Sequence, residues 1–233
     1  MLNTIQKTVC ALAVLSATAL PVMAESIDVR VIGTISPTAC TPILAGGGTV
    51  DYGNIQPSSL AKDTYTTLEE KQLDFSITCD APAKVAIKAT SQRGNSAVSQ
   101  VDGSLDLVSI SNALFGNVNT AAYGLGLDGG KGIGGYGLRL AADTMMADNV
   151  AVDSIQSNGN TTDWAKTSVG SLVNTPTTMR YSTWAATGTT TPIAFTTLTG
   201  KLGVQAYINK ASELDLTKPI ALDGLTTLEL VYL

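Results

Sequence analysis

Apolar residues in this chain recur at every second position in short runs, and no long stretch repeats with the 3.6-residue period of a helix. That rules out a helical bundle or a long coiled coil, because alternate side chains of an extended strand point to opposite faces. Ile27, Val29, Val31 and Ile35 share one parity, and Gly33 interrupts their apolar row. Leu73, Phe75, Ile77 and Cys79 alternate next; after an Ala-Pro break come Val85, Ile87 and Ala89. Tyr136, Leu138 and Leu140 form a further set, as do Leu202, Val204, Ala206 and Ile208, and the chain closes on Leu228, Leu230 and Tyr232. The runs are rich in Thr and β-branched residues and are punctuated by Gly, Asn, Asp and Pro. A helical turn fits only around Ala141 to Ala147. The pattern predicts an all-β antiparallel sandwich or barrel in one elaborated domain. The stretch from Ser91 to Asn160 is longer than a minimal sandwich needs and reads as extended loops or an inserted hairpin.

Residues 1–24 read as an export signal. Lys7 is the only charge before Glu25, an apolar run extends from Val9 to Leu20, and Val22-Met23-Ala24 offers small residues to a signal peptidase. A run of about twelve apolar residues is too short for a bilayer core of roughly 30 Å, and no later segment approaches the ~20 a spanning helix needs. Cleavage after Ala24 removes Cys10 and leaves Cys40 and Cys79, which in an exported chain permit one internal pairing. Closing a loop of about 40 residues is worth roughly 4 kcal/mol in the chain-entropy picture.

Composition narrows the function. Charged residues make up 14% of the chain, 14 Lys+Arg stand against 19 Asp+Glu, and no basic run is present, so nucleic-acid binding is not expected. The absence of histidine removes the commonest general base, the Ser-His and Cys-His nucleophile pairs and most catalytic zinc sites. The expectation is a protein that is not an enzyme and needs no cofactor or metal; an exported hydrolase working through carboxylates is the remaining catalytic option. Gly124-Leu125-Gly126-Leu127-Asp128-Gly129 has the letters of a dinucleotide fingerprint, but the glycines that follow oppose the helix this chemistry needs. Lys131 precedes a glycine rather than Ser or Thr, so the phosphate loop also fails. Asp143, Asp148 and Asp153 lack the ligand spacing of a calcium loop. Trp164 and Trp184 are either core residues or a platform for a sugar.

One constellation is more specific. Val29-Arg30-Val31-Ile32-Gly33-Thr34-Ile35 precedes Ala39-Cys40; Val50-Asp51-Tyr52-Gly53-Asn54-Ile55 follows, then Phe75-Ser76-Ile77-Thr78-Cys79. In this order, and in the near-terminal Tyr232, the chain resembles the pilin subunits of chaperone-usher fimbriae. It departs from them in carrying Ile220 where the family has a glycine, with Gly224 closer to the end, and in its longer middle, as in a divergent fimbrial-like branch. The resemblance implies an immunoglobulin-like sandwich lacking its last strand, whose open edge invites aggregation until another strand fills it. It implies a signal peptide over 1–24, a donor-strand extension over 25–36 and the pilin-like domain over 37–233. The donor strand would present Ile27, Val29, Val31, Gly33 and Ile35 to a neighbouring subunit. Leu228, Leu230, Tyr232 and Leu233 would contact a periplasmic chaperone, with the terminal carboxylate held by cationic groups. An outer-membrane usher would then export the subunit to the surface, for adhesion. The strand precedes the first cysteine, where tip adhesins carry a receptor domain, so a shaft subunit is expected. The alternative is a complete exported sandwich that binds carbohydrate through Trp164 or Trp184.

Overall fold

The computed structural model describes residues 27–34, 38–98, 107–110, 114–117, 120–174 and 177–233. The expected signal peptide, and Glu25, Ser26, Ile35 and Ser36 of the expected extension, lie outside the described residues. Pro37–Leu233 forms one compact unit, apart from the residues before it. In chain order the strands are β1 (Cys40–Leu44), β2 (Thr66–Thr67), β3 (Lys71–Ala83), β4 (Val85–Ser91), β5 (Leu107–Ile110), β6 (Thr120–Gly124), β7 (Leu127–Asp128) and β8 (Lys131–Gly132). They continue as β9 (Gly134–Leu140), β10 (Met146–Ala147), β11 (Val150–Asn158), β12 (Ala165–Lys166), β13 (Arg180–Ala186), β14 (Phe195–Ile208) and β15 (Thr226–Tyr232). Helical segments among the described residues are short 3₁₀ turns, one of them at Ala142–Thr144, where the sequence suggested a helical turn. None is long and apolar enough to cross a membrane.

All pairings are antiparallel, and they make two layers. One runs β1–β3–β14–β9–β6–β5, the other β15–β4–β13–β11, and β10 joins them by pairing with both β11 and β14. The result is an all-β, nearly closed sandwich. The alternation read in the sequence sets its inner faces. Phe75, Ile77 and Cys79 of β3, Ile87 and Ala89 of β4, Leu138 and Leu140 of β9, and Leu202, Val204, Ala206 and Ile208 of β14 are buried in one core. Each large side chain withdrawn from water there contributes about 1.5–3 kcal/mol. Trp184 lies edge-on to Phe195 with centroids 5.7 Å apart, deep in the same core. Cys40 faces Cys79 across the β1–β3 ladder, and the two form a disulfide.

Among the described residues the long middle contains hairpins. β5–β6 extends the first layer beyond β9, and β7–β8 turns at Gly129 and Gly130, both with positive φ (57° and 84°). Two successive left-handed residues are what a tight hairpin turn requires. The glycine fingerprint therefore runs from the end of β6 through β7 into the hairpin turn, and strands rather than a helix follow it. The same insertion covers the outer face of β14, where Tyr207 is buried against Ala97, Leu114 and Ala122.

Candidate functional site

Among the described residues β1 is laddered to β3 alone and β15 to β4 alone, so each layer ends in a strand with an edge that no described strand covers. The two edges meet at one point, where the Cys40 N–H donates to the Tyr232 hydroxyl at 2.8 Å. Between them opens an apolar groove of about 680 Å³. Its floor is β14, through Leu202, Val204, Ala206 and Ile208, together with Tyr136 and Leu138 of β9. Seven strand residues from Leu202 to Ile208 span about 20 Å at ~3.3 Å per residue.

One wall comes from residues 44–60, with Leu44, Val50, Tyr52 and Ile55 facing the core but only half buried. Tyr52 ties this wall to the floor. Its hydroxyl donates to the Val204 carbonyl (3.0 Å) and accepts the Ala206 N–H (3.1 Å). Burial pushes the Tyr52 phenol above its ordinary pKa, against the opposing pull of the Ala206 amide, so the donor stays protonated. The other wall is residues 214–228. Ile220, Leu222, Thr226, Leu228 and Leu230 all face inward at half burial, one parity running through the irregular stretch into β15.

That second wall is held by separate bonds. The Asp223 N–H donates to the Leu125 carbonyl (2.9 Å), the Gln92 N–H to the Leu225 carbonyl (2.8 Å), and Arg93 pairs with Asp223 at 2.7 Å. The Arg93 guanidinium holds the Asp223 carboxyl below its usual range. Lys218 reaches Asp128 of the β7–β8 hairpin at 2.9 Å. Tyr136 packs where Gly224 passes, and a Cβ at that glycine would come within 2.7 Å of its ring. The Tyr136 hydroxyl lies 2.6 Å from the Thr226 hydroxyl, and burial raises its pKa as well.

The structure divides the residues singled out by sequence. Leu228 lines the groove and Leu230 faces the core beside it, whereas Tyr232 is half exposed. Leu233 donates its N–H to the Lys84 carbonyl (3.0 Å) and lines a second, shallow pocket. Ile27, Val29 and Val31 are 90%, 85% and 92% exposed, and residues 27–34 take part in no strand ladder. No heavy atom comes within 4 Å of a Cβ built on Gly33, and Ile35 lies outside the described residues. Trp184 is a core residue, which removes it as a sugar platform; Trp164 is half buried in the second pocket.

The three spaced aspartates have separate structural partners where they are engaged. Asp148 accepts the Thr196 and Thr197 N–H groups, and Asp153 bonds to Lys166 and the Gly188 N–H. Among the described residues no group of three His, Cys, Asp or Glu side chains is arranged to hold a metal. The wall residues Tyr52, Leu214, Leu216, Ile220 and Leu222 were not foreseen as site residues, although Ile220 and Leu222 share the parity of Leu228 and Leu230.

Residues 29–137 match a family model described as a protein of unknown function, DUF1120. The chain is 30% identical over 248 residues to protein GltF of Escherichia coli K12, covering 96% of this chain and 94% of that one. It is 29% identical over 220 residues to the uncharacterized protein YhcF of the same organism, covering 89% and 90%.

Proposed function

We propose that this chain, which belongs to the DUF1120 family, is a structural subunit of a chaperone-usher fimbrium that polymerises by donor-strand exchange. The observation that carries the reading is the unfilled apolar groove beside two strands that each lack one neighbour. A strand laid there would gain backbone hydrogen bonds from the free edge and bury alternate side chains on the floor. The floor offers Leu202, Val204, Ala206 and Ile208 at two-residue spacing. Ile27, Val29, Val31 and Gly33 repeat at that spacing, and the three side chains among them are exposed in their own subunit.

In this reading the extension of one exported subunit fills the groove of the next. Before assembly a periplasmic chaperone occupies the same groove along β15, because an open apolar edge aggregates in water. An outer-membrane usher then passes the subunit to the cell surface. Nothing in the mechanism needs catalysis.

The test is a Val29→Asp, Val31→Asp double variant expressed with the chaperone and usher of its own secretion system. Unpaired charges in an apolar groove cost several kcal/mol each. The variant is expected to stay chaperone-bound and to fail to join a neighbour. Loss of chaperone binding together with assembly would assign the segment to the subunit's own core and overturn the reading.

A further inference from the structure

We infer that the shallow pocket around Trp164 binds a neutral pyranose, with the indole stacked on the apolar face of the sugar and polar groups around it taking the hydroxyls. This pocket, about 770 Å³, shares no lining residue with the apolar groove and has a different character. Thr161, Asp163, Thr190, Thr191 and Lys84 line the pocket together with Trp164. The three threonine hydroxyls and the Lys84 ammonium have no protein partner among the described residues. An indole edged by free donors and acceptors presents one flat apolar surface and several directional bonds, as a pyranose ring requires.

The platform is fixed before any ligand arrives. The Asn160 side-chain oxygen accepts the N–H groups of Thr162 and Asp163, both at 2.9 Å, and the Ser157 hydroxyl at 2.9 Å. Immediately after Trp164, β12 pairs with β11 through Ala165 and Gln156. The indole is thus carried between a bonded turn and a strand. Across the pocket, Thr190 and Thr191 lie in a turn closed by the Thr189 N–H to Ala186 carbonyl bond (2.9 Å) and the Ile193 N–H to Trp184 carbonyl bond (3.0 Å). Little conformational freedom is lost on binding to groups held this way.

Charge selects a neutral ligand. Lys84 stands against two carboxylates, those of Asp163 and of the terminal Leu233, so the rim disfavours an anionic sugar and accepts a neutral one. Each still serves a hydroxyl, the carboxylates as acceptors and the ammonium as donor.

The experiment uses the full chain and the methyl α- and β-glycosides of glucose, galactose and mannose, followed by tryptophan fluorescence and ligand-observed NMR. At least one glycoside is expected to bind saturably with Kd about 1 mM, a weak single-platform affinity. Trp164→Ala should weaken it at least about tenfold, and so should Thr190→Val with Thr191→Val, which alters only exposed side chains. No saturable binding by any of the six glycosides, or binding insensitive to both the Trp164 and the threonine variants, would overturn the proposal.

Discussion

Ile77 and Leu228 follow the same alternating rule, yet Ile77 is 0% exposed while Leu228 stays half buried. The first lies on β3, between β1 and β14, and packs in the closed core. The second lies on β15, which has a neighbour on one side only. Parity decides which way a side chain points; a facing layer decides whether it leaves water. An entire row at half burial, from Ile220 through Leu230 and across to Val50 and Ile55, borders the groove, where the proposed function would lay a further strand.

The comparison is broken most easily by truncation. Phe75→Ala, in the closed part of the core, should cost about 3–5 kcal/mol, and Leu228→Ala at the groove no more than about 1–2 kcal/mol. Urea unfolding followed by circular dichroism reads both, and equal costs would mean the groove is as well packed as the core. Replacing Cys40 and Cys79 by Ser should cost about 4 kcal/mol, since the bridge closes a loop of sequence separation 39.

Two buried tyrosines sharpen the contrast at smaller scale. The Tyr123 hydroxyl donates to the Ala89 carbonyl (3.0 Å) and accepts from the Asn174 amide (3.1 Å), whereas that of Tyr207 has no partner among the described residues. Tyr123→Phe should therefore cost about 1–2 kcal/mol and Tyr207→Phe close to nothing, because removing a buried group that makes no bond removes no bond. Thermal unfolding of the two variants separates them.

The smallest effect concerns acid. The Thr197 N–H foremost, then the Thr196 N–H and the Thr197 hydroxyl, holds the Asp148 carboxyl below its ordinary value of 3.8. A folded-state pKa below the unfolded one gives stability that is present above the unfolded value and lost as pH falls through the folded one. Asp148→Ala should lower the melting temperature at neutral pH, and the gap from the parent should close in acid below 3.8. A gap independent of pH would show that the carboxylate charge contributes nothing.

Much of the framework was legible because alternation is a local signal. Phe75 to Cys79, Val85 to Ala89, Tyr136 to Leu140 and Leu202 to Ile208 became inner faces as read, while Leu73 at the start of the first run stays outside the core cluster. The groove walls were harder. Ile220 and Leu222 continue the parity of β15, but Pro219 and the polar residues before it read as a turn, and no strand partner is near in sequence. Tyr52 matters through bonds to a strand 152 and 154 residues away, which no local pattern encodes. The two tryptophans sit in similar Thr-containing stretches; what separates them is Phe195 beside one and an open pocket beside the other.

The central claim is that the groove is completed by the strand of another subunit, and covalent self-complementation tests it most directly. Residues 25–36 are repeated after Leu233 through a flexible linker long enough to reach back along the groove. Burying Ile27, Val29 and Val31 at about 1.5–3 kcal/mol each, roughly 5 kcal/mol or more in all, corresponds to a rise of about 10–20 °C in Tm. The account predicts that rise in a monomeric protein, and its disappearance when the appended copy carries Val29→Asp and Val31→Asp. An unchanged melting temperature with the unaltered segment would contradict it.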